Sequence, residues 1–238
     1  VVTTHLHPEH TTGELAFPNA KIIRAAAEQK DIDESGMHWV NIFRKRSPER
    51  AEILKDAAFR KADELFEKEK TVDLGGVRVR LMYVGPAHTL GDTAFYVEED
   101  KVLFPGDLAM KEIFPAFAMP QSSMRSWLAS LEMLERLKPA HVIGSHGDLA
   151  DGSILAANRE RFAREMSAQL GFPVTAAASA EAAVKDKAVV AAASSNTSRE
   201  PICNHVQNRR HRQYPARHRR RLCRRPHTVR PSGALHRV

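Results

Sequence analysis

The sequence predicts an α/β domain of layered strands and helices, and three observations predict it. Residues 71–74 and 77–84 alternate with period two across a Gly75-Gly76 turn, as a β-hairpin does. Residues 122–137 place Trp127, Leu128, Leu131, Leu134 and Leu137 on one helical face. Between and beyond these, short strand patterns alternate with helical ones, which is the mark of α/β layers.

In chain order, residues 1–4 read as the end of a buried strand, and 5–12 as a polar, histidine-rich loop. Residues 13–17 begin a short helix that Pro18 stops. Residues 20–24 read as a strand. Residues 25–70 read as helical, with charges at i, i+4 spacing and a break at Ser47-Pro48, where proline suits the first turn of a new helix. After the hairpin, residues 93–97 and 102–104 are two further strands joined by Glu98-Glu99-Asp100. The helix over 122–137, a short strand at 141–143 and a helix over 153–169 complete the body.

Charge divides the chain. Residues 199–238 hold twelve arginines, no lysine and one acid, Glu200, so residues 1–198 are net acidic although the whole chain is +7. Both cysteines, Cys203 and Cys223, lie in that tail, so no disulfide framework supports the body. No apolar run is long enough for a transmembrane helix, and no signal peptide is visible. No membrane partner is expected; the compartment, cytoplasmic or periplasmic, and the oligomeric state are left open.

The body holds seven histidines, and three of them fall in six residues as His5-Leu-His7-Pro-Glu9-His10. On a helix, positions i and i+2 face apart, whereas a loop leaving a strand can converge such side chains. Imidazoles and carboxylates are the donors that zinc uses in catalytic sites. Three more candidates follow strands beside Gly or Pro: His88 in Gly-Pro-Ala-His-Thr, Asp107 in Pro-Gly-Asp, and His146 in Gly-Ser-His-Gly. Ligands gather outside the carboxyl ends of strands in layered α/β proteins.

This ordered set resembles the metallo-β-lactamase superfamily, whose pattern is H-x-H-x-D-H, then a distant His, an Asp and a His. The resemblance covers about residues 1–170, with Glu9 in place of the usual Asp. It implies a four-layer αββα fold lacking its amino-terminal strands, since almost nothing precedes His5. It implies one metal on His5, His7 and His88, a second on His10 and His146 joined by Glu9, and Asp107 bridging both. The cofactors would be two divalent ions, zinc first, with iron or manganese as alternatives. A hydroxide held between them would be the nucleophile, positioned by the catalytic carboxylates Glu9 and Asp107. No Gly-x-Ser-x-Gly elbow offers a different nucleophile. A bridging Asp is more like the glyoxalase-II-like and lactonase-like members than the true β-lactamases. The expected substrate is therefore a small molecule with an ester, thioester or lactone bond; β-lactam cleavage and iron-dependent redox chemistry on the same fold are the alternatives.

Asp92 and Thr89 are candidate partners of His88, or ordinary turn residues. Met37, Trp39, Ile42 and Phe43 form either a lid or helix packing, and the apolar loop at 114–120 either a pocket wall or packing. Three segments are expected: a hydrolase domain over 1–170, an Ala-rich linker over 171–198, and an Arg-rich tail over 199–238. The tail reads as disordered or out of frame. With one aromatic, Tyr214, it is a poor nucleic-acid arm, and its histidines are left out of the site.

Overall fold

The computed structural model describes residues 1–111, 122–171 and 173–174. The loop at 114–120 and the segments 175–198 and 199–238 lie outside the described residues.

Two sheets stack at the centre. The larger has five strands in chain order: β3 (Glu69–Asp73), β4 (Arg78–Tyr83), β5 (Thr93–Val97), β6 (Val102–Phe104) and β7 (His141–Val142). The first four pair antiparallel, and β7 adds parallel to β6. The turn between β3 and β4 holds Gly75 and Gly76, both at positive φ, and Asp73 accepts from both of their amides, at 2.8 and 2.9 Å. The smaller sheet pairs β1 (Ile23–Ala25) with β2 (Glu64–Phe66) in parallel, and Val2 bridges to Ile23. The expected strand at 1–4 is thus a single bridge, and the strand expected at 20–24 begins at Ile23.

Alternation along the strands builds two cores. Met82, Ala94, Tyr96 and Leu103 face α5 (Met124–Arg136) and α6 (Ser153–Leu170), where Trp127, Leu131, Leu134, Leu155 and Phe162 are buried. Val72, Val79, Leu81, Tyr83 and Phe95 face the other way, against Ile23, Ala25 and Phe66 of the smaller sheet. The outer side of the smaller sheet is covered by α2 (Ala26–Asp31), which a π-helical turn joins to α3 (Met37–Arg44). The order helix, sheet, sheet, helix is the expected four layers.

The helical expectation for 25–70 holds through α4 (Pro48–Ile53) and fails after it. Ser47 caps α4 by accepting from the Arg50 amide at 3.1 Å. Beyond Leu54 the chain extends and returns to the small sheet as β2. Buried acceptors capture its backbone on the way. The Arg60 amide donates to Glu14, the Ala62 amide to Gln29 at 2.8 Å, and Asp63 accepts from the Ile22 amide at 2.8 Å. Tertiary hydrogen bonds outweigh helix propensity here, which is worth only tenths of a kcal/mol per residue.

Candidate metal centre

Four loops at one end of the sheets carry the expected residues. The first leaves the Val2 bridge, and the Thr4 carbonyl accepts from the Thr93 amide at 2.7 Å, which ties it to the start of β5. Leu6 is fully buried and anchors the loop between His5 and His7. The histidine segment is not wholly loop: Pro8 opens a one-turn helix, α1 (Pro8–Thr11), and Thr11 Oγ1 donates to the His7 carbonyl at 2.9 Å. That turn swings Glu9 and His10 back toward His5.

His88 lies between β4 and β5. The Asp92 carboxylate accepts from the Ala87 amide at 3.1 Å, the Thr89 amide at 2.8 Å and Thr89 Oγ1 at 2.9 Å. Asp92 and Thr89 therefore set the shape of the loop that carries His88. Burial pushes Asp92 up to about 6. Asp107 sits in a 3₁₀ turn, Gly106–Leu108, directly after β6. Gly106 has φ +62°, and a Cβ there would stand 3.0 Å from Thr4 Cβ, so the approach of this turn to the His5 loop needs glycine. The Trp127 indole donates to the Leu108 carbonyl at 3.1 Å and fixes the turn from below. His146 follows β7, and the Ser145 amide donates to the Gly106 carbonyl at 3.3 Å.

The structure brings all seven expected residues together in two groups. His5, His7, His88 and Asp107 are buried, and one donor atom from each lies within 4.8 Å of the others. Glu9, His10 and His146 form the second group within the same limit, at a more exposed position. His7 Nδ1 is 3.0 Å from His5 Nε2 and 3.2 Å from His88 Nε2. Asp107 Oδ2 is 3.5 Å from His88 Nε2 and 3.9 Å from His5 Nε2. Donors bound at zinc-like distances around a tetrahedral ion stand about 3.3 Å apart, so this group has the edge lengths of such a shell. The other Asp107 oxygen, Oδ1, faces the second group, 3.6 Å from His10 Nε2 and 3.8 Å from His146 Nε2.

The electrostatics fit a cation. Asp107 Oδ1 and His10 Nε2 are buried and have no hydrogen-bond partner among the described residues. Leaving such atoms unpaired costs about 1–3 kcal/mol each, a cost that a shared ion removes. Burial, reinforced by the neighbouring imidazoles, holds His5 and His7 well below the ordinary histidine value. Burial also lowers His10, to about 4, against the opposing pull of Asp107. These rings are neutral at neutral pH, the form that offers a lone pair to a metal.

Sequence reasoning missed three features around the centre. Trp39 stacks edge-on against His7 at 4.6 Å, with Phe43 6.0 Å from the same ring. Helical spacing leaves packing and lid as alternatives, and α3 does pack here, on a ligand candidate; Met37 is exposed. Second, Arg24 is fully buried and bonds Glu14, Gln29 Oε1 at 3.1 Å and the Arg60 carbonyl at 2.7 Å. Third, Glu28 is fully buried beside it, accepting from Thr3 Oγ1, and burial pushes its carboxyl up to about 8. The one signal for this hub was a charged residue inside the short apolar strand.

The fold and the convergence of histidines with one shared carboxylate define a metal-binding α/β domain of the hydrolase-like class. The family model of the metallo-β-lactamase superfamily matches residues 1–146. The chain belongs to that superfamily. Among solved structures it is similar to a metallo-β-lactamase family protein from Thermus thermophilus, with 20% identity over 71% of this chain and 61% of that one, and a TM-score of 0.54. It is similar too to a metallo-β-lactamase from Pontibacter korlensis, with 19% identity over 68% of this chain and 67% of that one, and a TM-score of 0.50. At these identities the likeness is one of fold. The chain spans under two thirds of the Thermus protein's length. No curated protein matches it. Among the described residues, no helix is long and apolar enough to cross a membrane.

Proposed function

We propose that residues 1–170 form a metal-dependent hydrolase domain that cleaves an ester, thioester or lactone bond with water as the nucleophile. The reading assigns one divalent ion to His5, His7, His88 and Asp107 and a second to Asp107, His10, His146 and Glu9, with zinc as the expected metal. One observation carries it: the two oxygens of Asp107 face two separate sets of imidazole nitrogens at 3.5–3.9 Å. When bound, such a pair of ions lowers the pKa of a shared water and polarises a carbonyl oxygen.

The residues divide the remaining work. Asp107 holds its position through the Gly106 turn and the Trp127 hydrogen bond to Leu108, so its two oxygens stay fixed between the groups. Glu9 is at the exposed rim beside His10 and His146. From there Glu9 and Asp107 orient the attacking water and pass its proton to the leaving group. Trp39 and Phe43 exclude water from the His7 side.

The test is hydrolysis by the zinc-loaded full chain of a panel of esters, thioesters, lactones and β-lactams. Cleavage of an acyl ester or thioester, abolished by chelator and restored by zinc, supports the reading. Hydrolysis of β-lactams alone would move the substrate class. Oxygen consumption by a coloured, iron-loaded protein would move the reaction class. A protein with both metals and no hydrolysis of any panel member would contradict the proposal.

A further inference from the structure

Arg46 follows α3 at the edge of the metal centre, and its guanidinium holds no hydrogen-bonding partner. Its neighbour on the same segment does. Arg44 donates to the carbonyls of Leu54 and Lys55 at 2.7 and 2.9 Å and to Asn41 Oδ1 at 3.0 Å. The Arg46 side chain makes no hydrogen bond or ion pair among the described residues, yet it is not splayed into solvent. Its Cζ lies 3.8 Å from the centroid of the Phe43 ring, a cation–π stack that fixes the plane of the fork. Phe43 is in turn 6.0 Å from the His7 ring, with Trp39 beside it at 4.6 Å from that ring. A second guanidinium, that of Arg50, lies 5.9 Å from the Phe43 centroid. The result is a short aromatic shelf with the metal ligands at one end and an exposed, oriented cation at the other. The cation is close enough to the centre to be felt electrostatically by both His7 and Glu9.

We infer that Arg46 is the specificity residue for a carboxylate on the substrate, so the molecule cleaved at the metals carries an acyl portion that crosses the Trp39–Phe43 shelf and ends in a carboxylate. A planar guanidinium pairs with a carboxylate through two parallel hydrogen bonds, whereas a neutral ester or amide accepts at most one weaker bond. The acidic body around the site disfavours an anion in general, so an unpaired Arg at this one position selects where a substrate anion can rest. The shelf takes apolar carbon: the Trp39 and Phe43 rings offer contact area and no charge. This inference rests on the hydrolase reading for its use of the word substrate, but the anion subsite is measurable without turnover.

The experiment is calorimetric titration of the zinc-loaded full chain with glutarate and with its monomethyl ester, on the wild type, Arg46→Ala and Arg46→Lys. The expected result is a preference of about tenfold for the dicarboxylate in the wild type, falling to near unity in R46A and partly kept in R46K. Arg46 is exposed, so R46A is expected to fold, and an unchanged melting curve checks it. Absence of the preference in the wild type, or its persistence in R46A, overturns the inference. Hydrolysis of a thioester pair, one with a terminal carboxylate and one with a terminal amide, is run in parallel. No turnover with the binding preference intact contradicts the hydrolase reading alone. Turnover with equal kcat/KM for the two thioesters, and no effect of R46A on that ratio, overturns the subsite alone.

Discussion

His88 Nε2 stands 3.2 Å from His7 Nδ1, although 81 residues separate the two in the chain. Two imidazole nitrogens at that distance, with His5 Nε2 a further 3.0 Å from His7 Nδ1, gain little from sharing protons in a buried site. They gain far more from a cation between them. Ligands acting on one ion fail to add: once one is lost, the second matters less. His7→Ala and His88→Ala are each expected to lower zinc affinity by at least about tenfold, and the double variant to lose much less than the product of the two. Competition with a fluorescent chelator measures this. Fully multiplicative losses would mean that the two rings do not serve one ion.

Glu9 belongs to the more exposed group, with His10 and His146. Glu9→Ala is expected to weaken the second metal and leave the first bound, and Glu9→Gln to do nearly the same, because the charge is what is lost. Metal-binding isotherms should resolve one tight and one weakened step. Loss of both metals together in E9A would contradict the division of the site.

Trp127 is fully buried, donates to the Leu108 carbonyl at 3.1 Å and lies 5.7 Å from the His88 ring. Trp127→Phe keeps most of the volume but leaves that carbonyl without its donor, at a cost of about 1–3 kcal/mol. Trp127→Ala adds a cavity and should cost about 3–5 kcal/mol. Chemical denaturation reads both. Since Leu108 adjoins Asp107, W127F should also weaken metal binding, and unchanged affinity would show that the turn is held by other contacts.

Glu28 carries a pH signature. Its pKa is about 8 in the fold against 4.5 unfolded, because burial disfavours the charge. Between those values the native state holds the proton and the unfolded chain has lost it. The contribution is therefore full below about pH 4.5 and lost as pH rises toward 8. Glu28→Gln should flatten stability across that window, by at most about 1.4 kcal/mol per pH unit. The difference between the two proteins in parallel denaturation series isolates this term, since protons linked to metal binding cancel. Parallel curves would contradict it.

Removing Arg24 leaves Glu14 and Glu28 without their cation, and breaking a buried pair in this way typically costs about 3–5 kcal/mol. Arg24→Met should lower the melting temperature sharply, and more at alkaline pH, where Glu28 is charged. A loss that does not grow with pH would mean that packing, not charge, dominates at this position.

Period-two alternation and helical periodicity locate the large sheet and its two covering helices because those elements have one wet and one dry face. The seven residues of the centre are legible because chemistry forces rare residue types next to Gly and Pro at strand ends. Residues 54–70 defeat the helical reading because Ala57, Ala62, Glu64 and Leu65 are good helix formers, and the force that extends them comes from Glu14, Gln29 and Ile22, distant in sequence. Arg24 and Glu28 stand at i, i+4 spacing like any surface pair. Nothing local distinguishes a surface pair from a buried one; only the wrap of residues 57–63 over Arg24 does.

The central claim is that Asp107 joins two metal sites, and metal content measures it most directly. The full chain is purified with zinc beside Asp107→Ala and His88→Ala, and zinc per chain is counted by mass spectrometry. The account predicts about two zinc in the wild type, loss at both sites in D107A, and loss confined to the first site in H88A. Folded wild type without metal, or D107A with its zinc undiminished, would contradict it.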